Sequence, residues 1–214
     1  MSNIAIFSNA NLPVTAVAES LKKLEQATPS TMVILKMDKT GHWVFGADQT
    51  EVEDGTRWAV NPFSFVHGFI AWGKGEVLGE HMAPLTDPLP EVGVPPAGAE
   101  RGWEQQFGFC LKALDGEDAG MEARFSATSV GGKRAVQTLG TAIATQVMKD
   151  QSRPVAVVEL KKDHYQHKSY GRVYTPIFEI VDWLTMDGEQ DVQKLDAPAP
   201  AGADEPRRRQ RRTA

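Results

Sequence analysis

The chain is poor in cysteine, with a single Cys110 among 214 residues. One thiol cannot close an internal disulfide, which excludes a small secreted scaffold held by cross-links. Cys110 follows Phe107 and Phe109 in an alternating stretch, so it reads as a buried structural thiol. No run of about 18 apolar residues exists, so no membrane-spanning helix is expected. The opening MSNIAIFSNANLPV lacks a basic stretch followed by a long apolar core. It does not read as a secretory signal, and a cytoplasmic location is expected.

The usual signatures of catalysis are missing as well. There is no phosphate-binding G-x-x-x-x-G-K-[ST], no G-x-G-x-x-G after a strand, and no H-E-x-x-H. Of the five histidines only His164 and His167 are close in sequence, so a closed zinc site is not expected. Glu51, Glu53 and Asp54 sit beside a turn, and Asp115, Glu117 and Asp118 occupy another; both groups read as solvated acids. A two-metal nuclease needs carboxylates converging in space, which no spacing here announces. The chain therefore reads as a non-enzymatic protein with no cofactor, no metal and no catalytic residue.

What is present is the composition of a globular protein, with 41% hydrophobic and 24% charged residues and a net charge of −5. The charge is unevenly placed. Residues 204–214 (DEPRRRQRRTA) hold five arginines against two acids, a net of +3 that leaves −8 on the rest. Residues 187–214 are polar and rich in Ala and Pro, and are expected to be a disordered tail, acidic and then basic. The Arg cluster reads either as a solvated end or as a phosphate-contacting arm. Residues 84–100 carry five prolines and two glycines and read as a linker or an extended surface loop.

Periodicity supplies the elements. Val14, Val17, Leu21 and Leu24 recur at helical spacing, predicting a helix over 13–26 within an N-terminal segment 1–30. Residues 32–37 and 42–46 flank the turn tetrapeptide DKTG and predict a hairpin. Residues 56–60, 63–72 and 75–80 read as strands. Residues 103–114 and 121–129 alternate around DGEDAG and predict a second hairpin. After Gly131-Gly132, residues 133–149 place Val136, Leu139, Ile143 and Val147 on one helical face. Residues 154–160 and 172–183 read as the last two strands, with Pro176 implying an edge or a bulge. One β-rich domain over 31–186 is expected, mainly β in an α+β sense. Several strands, one long helix and two strands suit a small antiparallel OB-like barrel, which carries a helix between its third and fourth strands. Another antiparallel α+β fold fits the same order.

One stretch has the chemistry of a binding site. Residues 161–174 (KKDHYQHKSYGRVY) interleave Lys161, Lys162, Lys168 and Arg172 with Tyr165, Tyr170 and Tyr174, the protein's three tyrosines. Cations track phosphates, and flat rings stack on unpaired bases at about 1–3 kcal/mol per base. A hairpin loop or strand ends between the last two strands is the expected setting. The plain alternative is a solvated loop whose tyrosines pack at a sheet margin. Ser129 to Arg134 (SVGGKR) opens the long helix. It reads as a helix cap, or as a start that aims backbone N–H groups, Lys133 and Arg134 at a phosphate. Trp43, Trp58, Trp72, Phe45, Phe63, Phe65 and Phe69 read mostly as core. The alternative is an outward stacking platform of Phe63, Phe65 and Trp58.

Three patterns together resemble a known group: W-V-F-G-A…E-D-G-x-x-W-A-V-N-P-x-S-F-V-H-G-F-I-A-W-G, then S-V-G-G-K-R-A-V-Q-x-L, then Y-Q-H-K-x-Y-G-x-x-Y-T-P-x-F-E-I-V-x-W. They resemble small proteins of tailed bacteriophages and prophages associated with replication and recombination genes, similar in role to phage single-stranded DNA-binding proteins. The resemblance spans about residues 31–184. It implies a host-cell cytoplasmic protein that binds single-stranded DNA, meets phage or host replication and recombination proteins, and is able to form a homodimer. Such binders commonly end in an acidic recruiting tail, whereas this chain ends in arginines. The expected contacts are Lys161, Lys162, Tyr165, Lys168, Tyr170 and Arg172, joined by Lys133 and Arg134. The alternatives are a protein-interaction module using the acidic surface, as inhibitor or adaptor, and a metal-dependent nuclease.

Overall fold

A computed structural model describes residues 32–188. The helix expected over 13–26 and residues 189–214 of the expected tail lie outside the described residues. The described chain runs β1 (Val33–Met37), β2 (Trp43–Phe45), β3 (Thr50–Glu51), β4 (Arg57–Val60), β5 (Val66–Gly73), β6 (Glu76–Pro84), β7 (Glu104–Ala113), β8 (Glu122–Ala127), α1 (Val130–Lys149), β9 (Val155–His167) and β10 (Gly171–Leu184). It is mainly β, with one ten-stranded mixed sheet and one helix.

The strand order is β10-β9-β4-β7-β8-β1-β2-β3, antiparallel except where β1 lies parallel to β8. β4 and β5 follow one another along the same edge of β7, against Leu111–Ala113 and then Glu104–Gly108. Asn61-Pro62 interrupts them because proline cannot donate to the ladder. Polar groups bridge the gap: Asn61 N–H donates to the Cys110 carbonyl, and Cys110 N–H donates to Ser64 Oγ at 2.8 Å. On its far side β4 takes β9, while β5 takes β6. The sheet thus forks into two ribbons.

The pairings do not close into a ring, so hydrogen bonding alone does not show the expected barrel. Side chains nonetheless bring the ends of the path together. The Phe178 ring of β10 lies 5.0 Å from Phe125 of β8, 5.0 Å from Phe109 of β7 and 5.5 Å from Trp43 of β2. Leu35, Trp58, Val60, Leu111 and Val158 complete this core, and α1 inserts Val136, Leu139 and Ile143 into it.

Both expected hairpins are present, as β1–β2 and β7–β8. The long helix starts at Val130 rather than 133, because Ser129 caps it by accepting the Gly132 N–H at 3.1 Å. Gly131 and Gly132 therefore belong to the helix instead of ending the preceding strand. The proline-rich stretch is a surface loop and not a linker between domains. Pro84 ends β6, and the loop is tied back by Glu100 N–H to the Trp72 carbonyl and Trp103 Nε1–H to the Gly93 carbonyl.

Replacing Phe178 by Ala removes the ring shared by β2, β7, β8 and β10, and is expected to cost about 3–5 kcal/mol in urea unfolding. A loss below about 1 kcal/mol would show that the curl is held by something else.

Candidate nucleic-acid interface

Residues 161–174 are not a loop. β9 and β10 pair from Val155–Leu184 to His167–Gly171, with one register shift between Ile180 and Asp182, leaving only Lys168, Ser169 and Tyr170 in the turn. β4 supports β9 only at Val157–Glu159, so beyond Glu159 the hairpin is a two-stranded ribbon. Pro176 is tolerated because β10 pairs with β9 alone and is an edge strand. Of the two expected settings, loop or strand ends, the strand ends hold, but Lys, Asp, His and Gln are weak strand formers and do not announce how far the strands run.

A free two-stranded ribbon is marginal in water. Here three contacts brace it. Trp43 Nε1–H donates to the Lys161 carbonyl at 3.0 Å. The β1–β2 turn packs under Tyr174, where a Cβ on Gly41 (φ +84°) would fall 2.6 Å from the ring. The helix start packs on Thr175, where a Cβ on Gly131 would fall 2.6 Å from Cγ2. Asp38 organises the first turn by accepting the N–H groups of Thr40 and His42, each at 2.8 Å.

Register divides the expected site residues between two faces, because side chains alternate along a strand. Lys162, His164 and Gln166 stand opposite Pro176, Tyr174 and Arg172. They continue the face that carries Leu160 and Phe178 into the core. Lys162 Nζ sits 5.7 Å over the Tyr174 ring, and His164 lies 5.9 Å from it. Lys161, Asp163, Tyr165 and His167 occupy the other face, opposite Ile177, Thr175, Val173 and Gly171. At the tip, His167 stacks on Tyr170 at 4.8 Å and accepts the Ser169 and Tyr170 N–H groups on Nδ1. Tyr165 is 51% exposed and Tyr170 81%. Tyr174 is half-buried against Gly41, so it braces the ribbon.

The cations are not equivalent. Lys161 is bound to Glu159 at 2.6 Å, and that bond raises its pKa. Lys133, Arg134, Lys168 and Arg172 form no ion pair among the described residues. Lys133 and Arg134 lie in the first turn of α1. Arg134 shares a cavity of about 450 Å³ with Asp163, Tyr165 and Thr175. Arg134 and Tyr165 thus meet on the helix side, and Lys168 and Tyr170 lie at the tip, with Lys162 and Arg172 on the reverse face; Lys133 does not line the cavity that Arg134 and Tyr165 share.

The acids set aside as solvated are also brought together. Glu51, Glu53, Asp54, Glu117 and Asp118 line one cavity of about 760 Å³, which Lys161 and Lys162 border. The Glu117 N–H donates to Glu53 Oε2 at 3.1 Å. Asp115 is held by Arg57, through its N–H at 2.8 Å and Nε at 2.6 Å. No group of three or more His, Cys, Asp or Glu side chains that could hold a metal exists among the described residues. The outward aromatic platform does not exist: Trp58 and Phe65 are core residues, and only Phe63 is exposed. Cys110 is half-buried, which pushes its thiol pKa up.

No family model matches the chain, and neither a curated protein nor a solved structure is found similar to it.

Replacing Gly41 by Ala forces a strained left-handed backbone and displaces Tyr174, and is expected to cost about 1–3 kcal/mol in thermal unfolding. The carboxyls of Asp38 and Asp115 are held below their ordinary value of 3.8 by the N–H groups of His42 and Arg57. A folded pKa below the unfolded one gives stability that is present above pH 3.8 and lost as pH falls through the depressed value. The Asp115→Asn variant should show a shallower acid decline of the urea midpoint than the parent. An identical decline would contradict this.

Proposed function

We propose that this is a non-enzymatic single-stranded DNA-binding protein of a tailed phage, acting in replication or recombination in the host cytoplasm. The supporting observation is the braced β9–β10 ribbon. It projects exposed Tyr165 beside the unpaired Arg134 and carries exposed Tyr170 with the unpaired Lys168 at its tip. A strand lying along the helix side would meet rings that accept any base and charges that track its phosphates. Arg172 reaches the strand from the reverse face near the tip, and Lys162 from the same face nearer the base, over Tyr174. Lys161 contributes least, since Glu159 already holds it.

The strand order supports an OB-like reading of the curled sheet. Taking β4 and β5 as one interrupted strand and leaving β1–β3 and β6 out as additions, the sequence β4/β5, β7, β8, α1, β9, β10 places the helix between the third and fourth strands. A barrel of this type is partly open, and the loop between its last two strands is a usual binding element. That loop here is the ribbon tip. The cavity of Glu51, Glu53, Asp54, Glu117 and Asp118 favours a second reading, a surface that meets a basic protein partner.

Fluorescence anisotropy of a labelled single strand of about 30 nucleotides, against its duplex and over a salt series, tests the proposal. Preference for the single strand and a steep loss of affinity with salt are expected. Tyr165→Ala with Tyr170→Ala should weaken binding at least about tenfold without lowering the melting temperature. Unchanged affinity in that variant contradicts the site.

A further inference from the structure

The cavity between the helix start and the ribbon has a composition that a phosphate track does not explain. Its wall is apolar, from Val130, Ala135 and Ile177, and Arg134, Asp163 and Tyr165 line it too. Register confirms the placement, since Asp163 and Tyr165 share the ribbon face with Thr175 and Ile177. Gly131 makes the approach possible, because a Cβ there would strike Thr175 and push the helix away. The volume of about 450 Å³ lies within the range that small ligands occupy.

Asp163 is the informative residue. A carboxylate repels phosphate and only accepts hydrogen bonds, so an occupant that replaces water on the exposed Asp163 offers N–H groups. One oxygen accepts the His164 N–H at 2.7 Å, and no cation neutralises the group among the described residues. Arg134, also exposed, only donates and is likewise unpaired, so the same occupant meets it with acceptors. Tyr165 supplies a flat face. A flat ligand with two adjacent N–H donors on one edge and two acceptors on the next is guanine: N1–H and N2–H₂ for a carboxylate, O6 and N7 for a guanidinium. Thymine offers a single N–H.

We propose that this cavity is a base-recognition subsite that selects guanine from an otherwise sequence-tolerant single strand. The proposal rests on the single-strand binding reading and adds a preference to it. Tyr165 stacks on the base, Asp163 takes its amino edge and Arg134 its O6/N7 edge. The negative charge at Asp163 keeps the backbone outside.

The test uses the full chain and three short strands: all-thymidine, the same strand with one central deoxyguanosine, and the same with deoxyinosine, which lacks the N2 amino group. The guanine strand should bind about tenfold more tightly than either of the others. In Asp163→Asn, checked for an unchanged melting temperature, the guanine and inosine strands should bind alike. Equal affinity of the parent for all three strands overturns the subsite and leaves single-strand binding standing. A guanine preference that survives in Asp163→Asn also overturns it. Failure to bind any of the strands takes down both readings together.

Discussion

The fold depends on one aromatic contact set, in which Phe178 meets Phe109, Phe125 and Trp43. The sheet's hydrogen bonds run along an open path and cannot by themselves bring β10 near β2 or β8. Ring packing supplies the closure that the ladder lacks. Each ring buries a large apolar area, and the tilted and edge-on arrangements add favourable quadrupole contacts. Trp43 does double duty, since its indole also donates to the Lys161 backbone. Trp43 therefore couples the core directly to the ribbon, beside the Gly41–Tyr174 and Gly131–Thr175 contacts.

The ribbon inherits its two-faced character from this anchorage. Alternation puts Leu160 and Phe178 in the core and carries Lys162 and Arg172 outward along the same face. The opposite face receives the start of α1, and with it Arg134. Charge is sorted around the ribbon as a result. Acids crowd the cavity by Lys161 and Lys162, while unpaired cations lie by the helix and at the tip. A body of negative net charge can bind a polyanion only through such sorting, because local potential, not the total, governs contact.

Much of the fold was legible where local chemistry decides it. The DKTG and DGEDAG turns, the helical face of Val136, Leu139 and Ile143, and the edge position of Pro176 follow from periodicity and turn residues. The extent of β9 was not legible, because LKKDHYQH has no strand propensity and is held by the Trp43 and Gly41 contacts from a distant hairpin. The ribbon's lysines and tyrosines were readable as a candidate site, but their division between faces needs the register. Asp163 was passed over as the one acid in a basic stretch. That it shares a cavity with Arg134 depends on how α1 packs. The acidic cavity was missed for the same reason: Glu51–Asp54 and Glu117–Asp118 are far apart in sequence.

The most direct test of the account is photo-crosslinking of an iodouracil-substituted single strand to the full chain, with the adducts located by mass spectrometry. Adducts at Tyr165 and Tyr170 are predicted, since stacking brings those rings against the bases. Adducts confined to the β5–β6 ribbon or to residues outside 130–174, or none at all, would contradict it.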